Sequence, residues 1–193
     1  MPPRAIQKPR LAVLLSGAGR TLQNLLDRVE DGRLRASIMG VGSDRADAFG
    51  LQRAMEHGID ARHLKDASAT WSWLYELDVD LVVLAGYLKL LPIEPDFAGR
   101  VLNIHPSLLP KFGGKGMHGE RVHGAVLAAM ETVSGCTVHL CNDKFDDGRI
   151  LLQARVPVLP QDTAATLGAR VFAAECEAYP AGIAMRWQEL SGK

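Results

Sequence analysis

The chain has 193 residues, 47% of them hydrophobic, a length and composition that support one large buried core. Its 22 lysines and arginines balance 22 aspartates and glutamates, so no broad electrostatic field directs it to nucleic acid or to an anionic membrane surface. Three cysteines, Cys136, Cys141 and Cys176, lack metal-ligand spacing and leave an odd thiol, which argues against a disulfide framework or a zinc site and for a reducing, cytoplasmic setting.

Met1 to Arg10, basic and holding three prolines, reads as a frayed leader, and residues 11–193 as a single domain. No apolar run reaches the roughly 18 residues of a membrane span. Leu11 to Leu15 is a short apolar run that stops at Ser16-Gly17-Ala18-Gly19, and Leu22, Leu25, Leu26 and Val29 follow at helical spacing: strand, tight turn, helix. Ser37 to Ser43 predicts a second strand, with Asp44 as cap for a helix from Phe49 to about Glu56. His63-Leu64 is a minor strand, and Ala67 to Leu77, with Trp71 and Trp73 as packing residues, has the least defined pattern. Asp80 to Gly86 is apolar on both faces, as in a central parallel strand covered by helices.

Val101 to His105 is the next strand, followed by a loop with Gly113, Gly114, Gly116 and Gly119 and a helix presenting Val122, Val126 and Met130 on one face. Thr137 to Cys141 and Ile150 to Val158 read as an antiparallel addition joined by the turn-forming residues 142–148. Asp162 or Thr163 caps a last helix with Leu167, Val171, Ala174 and Ala178 on one face, and Pro180 ends or kinks it near Tyr179. The predicted class is α/β: an open, mostly parallel twisted sheet with helices on both faces and an antiparallel extension near the C-terminal half.

Within this frame, Asn103 and His105 are two residues apart at the end of an apolar strand, so they share a face, and Pro106 stops the strand just beyond them. An amide and an imidazole at the carboxyl edge of such a sheet can hydrogen-bond an oxygen that gains charge and move a proton near neutral pH. Ser16 to Thr21 is either an anion-binding strand-to-helix turn or simply a sharp turn that recruits glycine; Leu22 stands where a dinucleotide fingerprint needs its third glycine. The acidic turn with Asp143, Asp146 and Asp147 is either solvated or brings a carboxylate to His105, which would favour its imidazolium form. His118, His123 and His139 match no zinc spacing, so no metal is expected.

Ser16-Gly17-Ala18-Gly19, Val82 to Tyr87, the run Asn103-Ile104-His105-Pro106-Ser107-Leu108-Leu109-Pro110-Lys111 and Asp146-Asp147-Gly148, read in that order, resemble the phosphoribosylglycinamide formyltransferase family of folate-dependent formyltransferases, over about Leu11 to Trp187. The resemblance implies a Rossmann-like fold and transfer of formyl from 10-formyltetrahydrofolate, a cosubstrate, to the amine of 5'-phosphoribosylglycinamide in purine biosynthesis, without a metal. It implies that Asn103, His105 and Asp146 are catalytic, with Asp146 holding His105 protonated. Gly19, Arg20 and Thr21 would cradle the substrate phosphate and Glu175 the ribose. Leu88, Lys89, Leu90 and Leu91 would hold the folate against the turn of Asn142, Asp143, Lys144, Phe145 and Asp146, with Asn103 alongside. Arg20-Thr21, Lys89 and Asp147 depart from the residues frequent in that family. Small-molecule substrates, no nucleic acid, no membrane, and a monomer or homodimer are expected. The alternatives are a formyltransferase for another small amine and a non-catalytic folate- or nucleotide-binding relative.

Overall fold

A computed structural model describes residues 8–192, so most of the expected leader lies outside the described residues. The elements are β1 (Arg10–Leu15), α1 (Arg20–Glu30), β2 (Ser37–Ser43), α2 (Phe49–Glu56), β3 (Asp60–His63), α3 (Ala67–Leu77), β4 (Leu81–Leu84), β5 (Val101–His105), α4 (Glu120–Ala128), β6 (Val133–Leu140), β7 (Ile150–Pro157) and α5 (Ala164–Ser191). They form one seven-stranded sheet in the order β3-β2-β1-β4-β5-β6-β7. The pairs from β3 to β5 are parallel, whereas β5–β6 and β6–β7 are antiparallel, as the sequence pattern predicts. The chain winds outward from β1 through β2 and β3, then returns to the other side of β1 as β4. This reversal opens a crevice at the carboxyl ends of β1 and β4, the usual ligand position in open α/β sheets.

Every residue of Leu11 to Leu15 has no exposed surface. Alternation divides them between two cores. Leu11, Val13 and Leu15 pack with α1, α2 and α5 through Leu22, Leu25, Leu51, Leu167, Val171 and Ile183, while Ala12 and Leu14 pack with α3 through Trp71, Trp73 and Leu74. Tyr179 of α5 is fully buried, and its hydroxyl lies 2.8 Å from the Leu84 carbonyl and 3.0 Å from the Leu102 carbonyl, sharing one proton between β4 and β5 beside the crevice.

Several local expectations are corrected. Arg10 belongs to β1 rather than to a leader: its amide donates to Asp80 and its guanidinium to the Leu77 carbonyl. Asp44 does not cap α2, whose N-cap is Ala48, because Ser16 engages its carboxylate. The third strand is Asp60–His63 and excludes Leu64. Met130 lies past the end of α4 and is 86% exposed, so it does not share the buried face of Val122 and Val126. Thr163 caps α5 in a capping box with Thr166, while Asp162 pairs with Arg170.

Pro180 neither ends nor interrupts α5, which runs through to Ser191. A helical proline deprives the carbonyl four residues earlier of its donor. Here that carbonyl belongs to Cys176, and Asn24 Nδ2 of α1 donates to it at 3.0 Å. The lost bond is thus replaced across the helix–helix contact, and Pro180 itself is buried.

Candidate active site

Alternation on β5 turns Asn103 and His105 to one face, with His105 4% exposed. Beyond Pro106 the chain is braced by short bonds: Ser107 Oγ donates to the Lys111 carbonyl, Thr137 Oγ1 to the Ser107 carbonyl, and the Leu109 amide to Thr137 Oγ1. These constraints set the Phe112 carbonyl 2.8 Å from His105 Nε2, which therefore carries the proton of the neutral ring. His105 Nδ1 is left 3.4 Å from Asp146 Oδ2.

Asp146 sits in the β6–β7 turn with φ of 54°, a left-handed conformation that aims its carboxylate back at β5. Its Oδ2 accepts from the Gly114 amide at 2.9 Å, and its Oδ1 accepts from Asn103 Nδ2 at 3.4 Å. The three residues expected to be catalytic do converge. A fourth, His139, was not anticipated: it faces Asn103 in the β5–β6 register, and its Nε2 lies 3.2 Å from Asn103 Nδ2 and 3.5 Å from Asp146 Oδ1. The alternation of the apolar β6 strand carries the signal, but only once its register against β5 is known.

Burial pushes His105 below the ordinary histidine value, outweighing the Asp146 charge and the Phe112 carbonyl, which act to raise it; His139 pushes the same way as burial. Burial thus works against the expectation that Asp146 holds His105 protonated, while the Asp146 charge works for it. Burial acts to raise Asp146 too, but the neighbouring His139, His105 and the Gly114 amide together hold it below the usual carboxylate range. His123, which also lines the cavity, is buried with Nδ1 unpartnered among the described residues, and burial lowers its pKa, with Glu120 opposing.

The cluster opens into a cavity of about 600 Å³ that runs from the start of α1 to the loops after β4 and β6. Arg20, Thr21, Phe172 and Glu175 line one end; Leu88, Lys89, Leu90, Leu91, Asn142, Lys144 and Phe145 line the other. Gly19 and Asp143 are not on the wall. Gly19 is the N-cap of α1, with φ of 71° and no side-chain cap, and a Cβ there would come within 2.7 Å of the Gly50 Cα. Its conformation leaves the first-turn amides of α1 without a side-chain acceptor, the arrangement that favours an anion. Asp143 instead accepts from the Ile93 amide at 3.0 Å and ties the two far loops together.

The loop after β4 has its own support. Ser16 Oγ donates to Asp44 Oδ1 at 2.6 Å and accepts from the Leu88 amide at 2.9 Å, while Lys89 Nζ lies 3.6 Å from Asp44 Oδ2. Ser16 and Asp44 thus position the Leu88 to Leu91 wall from the opposite side of β1. At the near end, burial pushes the Glu175 carboxyl up to about 7, with the Arg20 charge opposing. Among the described residues no group of three or more histidine, cysteine or acidic side chains is placed to hold a metal ion.

Residues 9–183 match the model of the formyl transferase family. The chain belongs to that family. It is similar to a phosphoribosylglycinamide formyltransferase of Haemophilus influenzae, with 38% identity over 92% of this chain and 86% of that one. A chloroplastic phosphoribosylglycinamide formyltransferase of Vigna unguiculata is 39% identical over 90% of this chain, which spans only 59% of that relative's length. The crystal structure of glycinamide ribonucleotide transformylase 1 from Symbiobacterium toebii superposes with a TM-score of 0.83 at 40% identity, covering 95% of this chain and 91% of that one. The formyl transferase family membership agrees with the topology and with the cavity at its switch point.

Proposed function

We propose that this member of the formyl transferase family transfers the formyl group of 10-formyltetrahydrofolate to the amine of 5'-phosphoribosylglycinamide, a step of purine biosynthesis, with Asn103, His105 and Asp146 at the reacting centre. The observation that carries the reading is the convergence of these three side chains midway along one cavity. One end of that cavity offers the uncapped start of α1 for a phosphate, in line with the resemblance noted for Gly19, Arg20 and Thr21, and Glu175 for a ribose. The other end offers a slot between Leu88 to Leu91 and the Asn142 to Asp146 turn, whose lining suits a folate.

The chemistry follows from the geometry of these groups. The acceptor amine attacks the formyl carbon, forming a C–N bond while the carbonyl electrons move to oxygen. His105, whose pKa burial lowers, takes the proton that the attacking nitrogen sheds, at Nδ1, where Asp146 Oδ2 steadies the imidazolium. The imidazolium then protonates the departing folate nitrogen as the oxyanion collapses and the C–N bond to folate breaks. Both protons of Asn103 Nδ2 are engaged, by His139 at 3.2 Å and Asp146 at 3.4 Å. Donation to the oxyanion therefore requires Asn103 to exchange the longer of these bonds for the developing charge. An aligned donor of this kind is worth about 2.7–4 kcal/mol of barrier.

The substrates are small molecules and the setting is the cytoplasm, as a monomer or homodimer; among the described residues no helix is long and apolar enough to cross a membrane. A panel of amine acceptors with 10-formyltetrahydrofolate as donor, followed by absorbance of the released folate, tests the proposal. Turnover with phosphoribosylglycinamide is expected; turnover only with another amine would reassign the acceptor. Folate binding without turnover on any acceptor would leave a binding protein and refute the catalytic reading.

A further inference from the structure

Three cationic side chains line the cavity, and they are not equivalent. Lys89 Nζ has Asp44 at 3.6 Å and Lys144 Nζ has Asp147 at 3.8 Å, so both charges are already committed to acidic partners. Arg20 has no acidic partner within ion-pair distance among the described residues; its guanidinium carbon lies 3.9 Å over the ring of Phe172. Stacking of this kind holds the planar group in place without using any of its five N–H donors. Arg20 is also the first residue of α1, directly after the uncapped Gly19, so its backbone amide and its side chain can address the same anion. Phe172 and Glu175 lie three residues apart on α5 and both line this end of the cavity, which gives it a cation and a carboxylate at separate points.

We propose that the Arg20 side chain, held on Phe172 with its donors free, is the specificity determinant for a phosphorylated acceptor, adding a charged two-pronged contact to the phosphomonoester that the helix amides receive. The inference deepens the proposed function and rests on it for the identity of the acceptor. A guanidinium presents paired donors that match phosphate oxygens, and contacts to a charged group outweigh those from neutral amides. Glu175, at a separate point of the same end, remains available to accept from ribose hydroxyls. In a chain of zero formal net charge, such local placement is the means of discriminating a phosphorylated acceptor from its dephosphorylated form.

The test compares kcat/KM for phosphoribosylglycinamide with that for the dephosphorylated riboside in wild type, Arg20→Ser, Arg20→Lys and Phe172→Leu. In Arg20→Ser the ratio of the two values is expected to fall about 10- to 100-fold, from the usual strength of a charged hydrogen bond, with the loss in KM for the phosphorylated acceptor rather than in kcat. Arg20→Lys should recover part of the ratio, and Phe172→Leu should lower it less than Arg20→Ser does. An unchanged ratio in Arg20→Ser, or an equal loss with both acceptors, would overturn the proposal and leave Arg20 as a packing partner of Phe172. Calorimetric titration with ribose 5-phosphate and with inorganic phosphate gives a readout that does not require turnover. Weaker binding of both in Arg20→Ser supports the phosphate contact even if the acceptor is another compound, and identical binding in the two proteins overturns it.

Discussion

Replacing Glu175 by glutamine should stabilise the protein at alkaline pH while weakening its hold on the acceptor. The carboxyl is raised from 4.5 to about 7 by burial, with Arg20 only partly offsetting that cost. At about 1.4 kcal/mol for each tenfold change in proton affinity, the full shift corresponds to at most about 3–4 kcal/mol, and partial contact with water reduces it to about 1–3 kcal/mol. The direction follows from which state holds the proton. Below pH 4.5 the group is protonated in both the folded and the unfolded chain and costs nothing. Between 4.5 and about 7 the unfolded chain ionises first, so wild-type stability falls through this window, and above about 7 the full penalty is present. Glutamine carries none of it. Urea unfolding of both proteins from pH 4 to 8 should show them converging at the acid end, with Glu175→Gln ahead by about 1–3 kcal/mol at pH 8, or roughly 2–10 °C in Tm. The variant should also show a KM for the acceptor raised about tenfold, since an amide replaces a charged hydrogen-bond acceptor. A stability difference independent of pH, or a wild type more stable at pH 8, would refute the reasoning.

Asn103→Ala should lower kcat by about 10²- to 10³-fold, the loss expected of one oxyanion donor; a loss below tenfold in single-turnover kinetics would remove it from that role. Since burial lowers the His105 pKa, the acid limb of the kcat/KM profile should fall below pH 6.5, and by NMR titration Asp146→Asn should move His105 lower still, because the carboxylate acts to raise it. A limb above 6.5, or an upward move in the variant, would contradict the neutral-base mechanism. Asn24→Ala should cost about 1–2 kcal/mol by stranding the Cys176 carbonyl, and less in a Pro180→Ala background, where the helix regains its own donor; equal costs in the two backgrounds would show that the bond is incidental.

Much of the architecture is written in short-range patterns. The run Leu11 to Leu15 announces a strand covered on both faces, and the two-residue spacing of Asn103 and His105 places them together at the tip of β5. The readings that failed depend on partners distant in the chain. Pro180 looks like a helix terminator until Asn24, 152 positions before the Cys176 carbonyl, is seen to take over the missing bond. Asp44 looks like a cap until Ser16, 28 positions earlier, engages it. His139 looks like one of several unmatched histidines until the antiparallel register sets it opposite Asn103. The charge on His105 is a contest between burial and a carboxylate, and burial has no local signature around a single histidine.

The pairing of β5 with β6 has a consequence for how this protein can fail. Asn103 and Asp146 lie 43 positions apart, and their meeting depends on the alignment that puts Asn103 opposite His139. A slip of one residue along that seam would turn His139 to the other face of the sheet and carry the Asp146 turn about 3.3 Å along the strands, more than its bonds can stretch. Damage to this ladder should therefore abolish turnover well before it unfolds the chain, so activity is a more sensitive gauge of the seam than any melting curve.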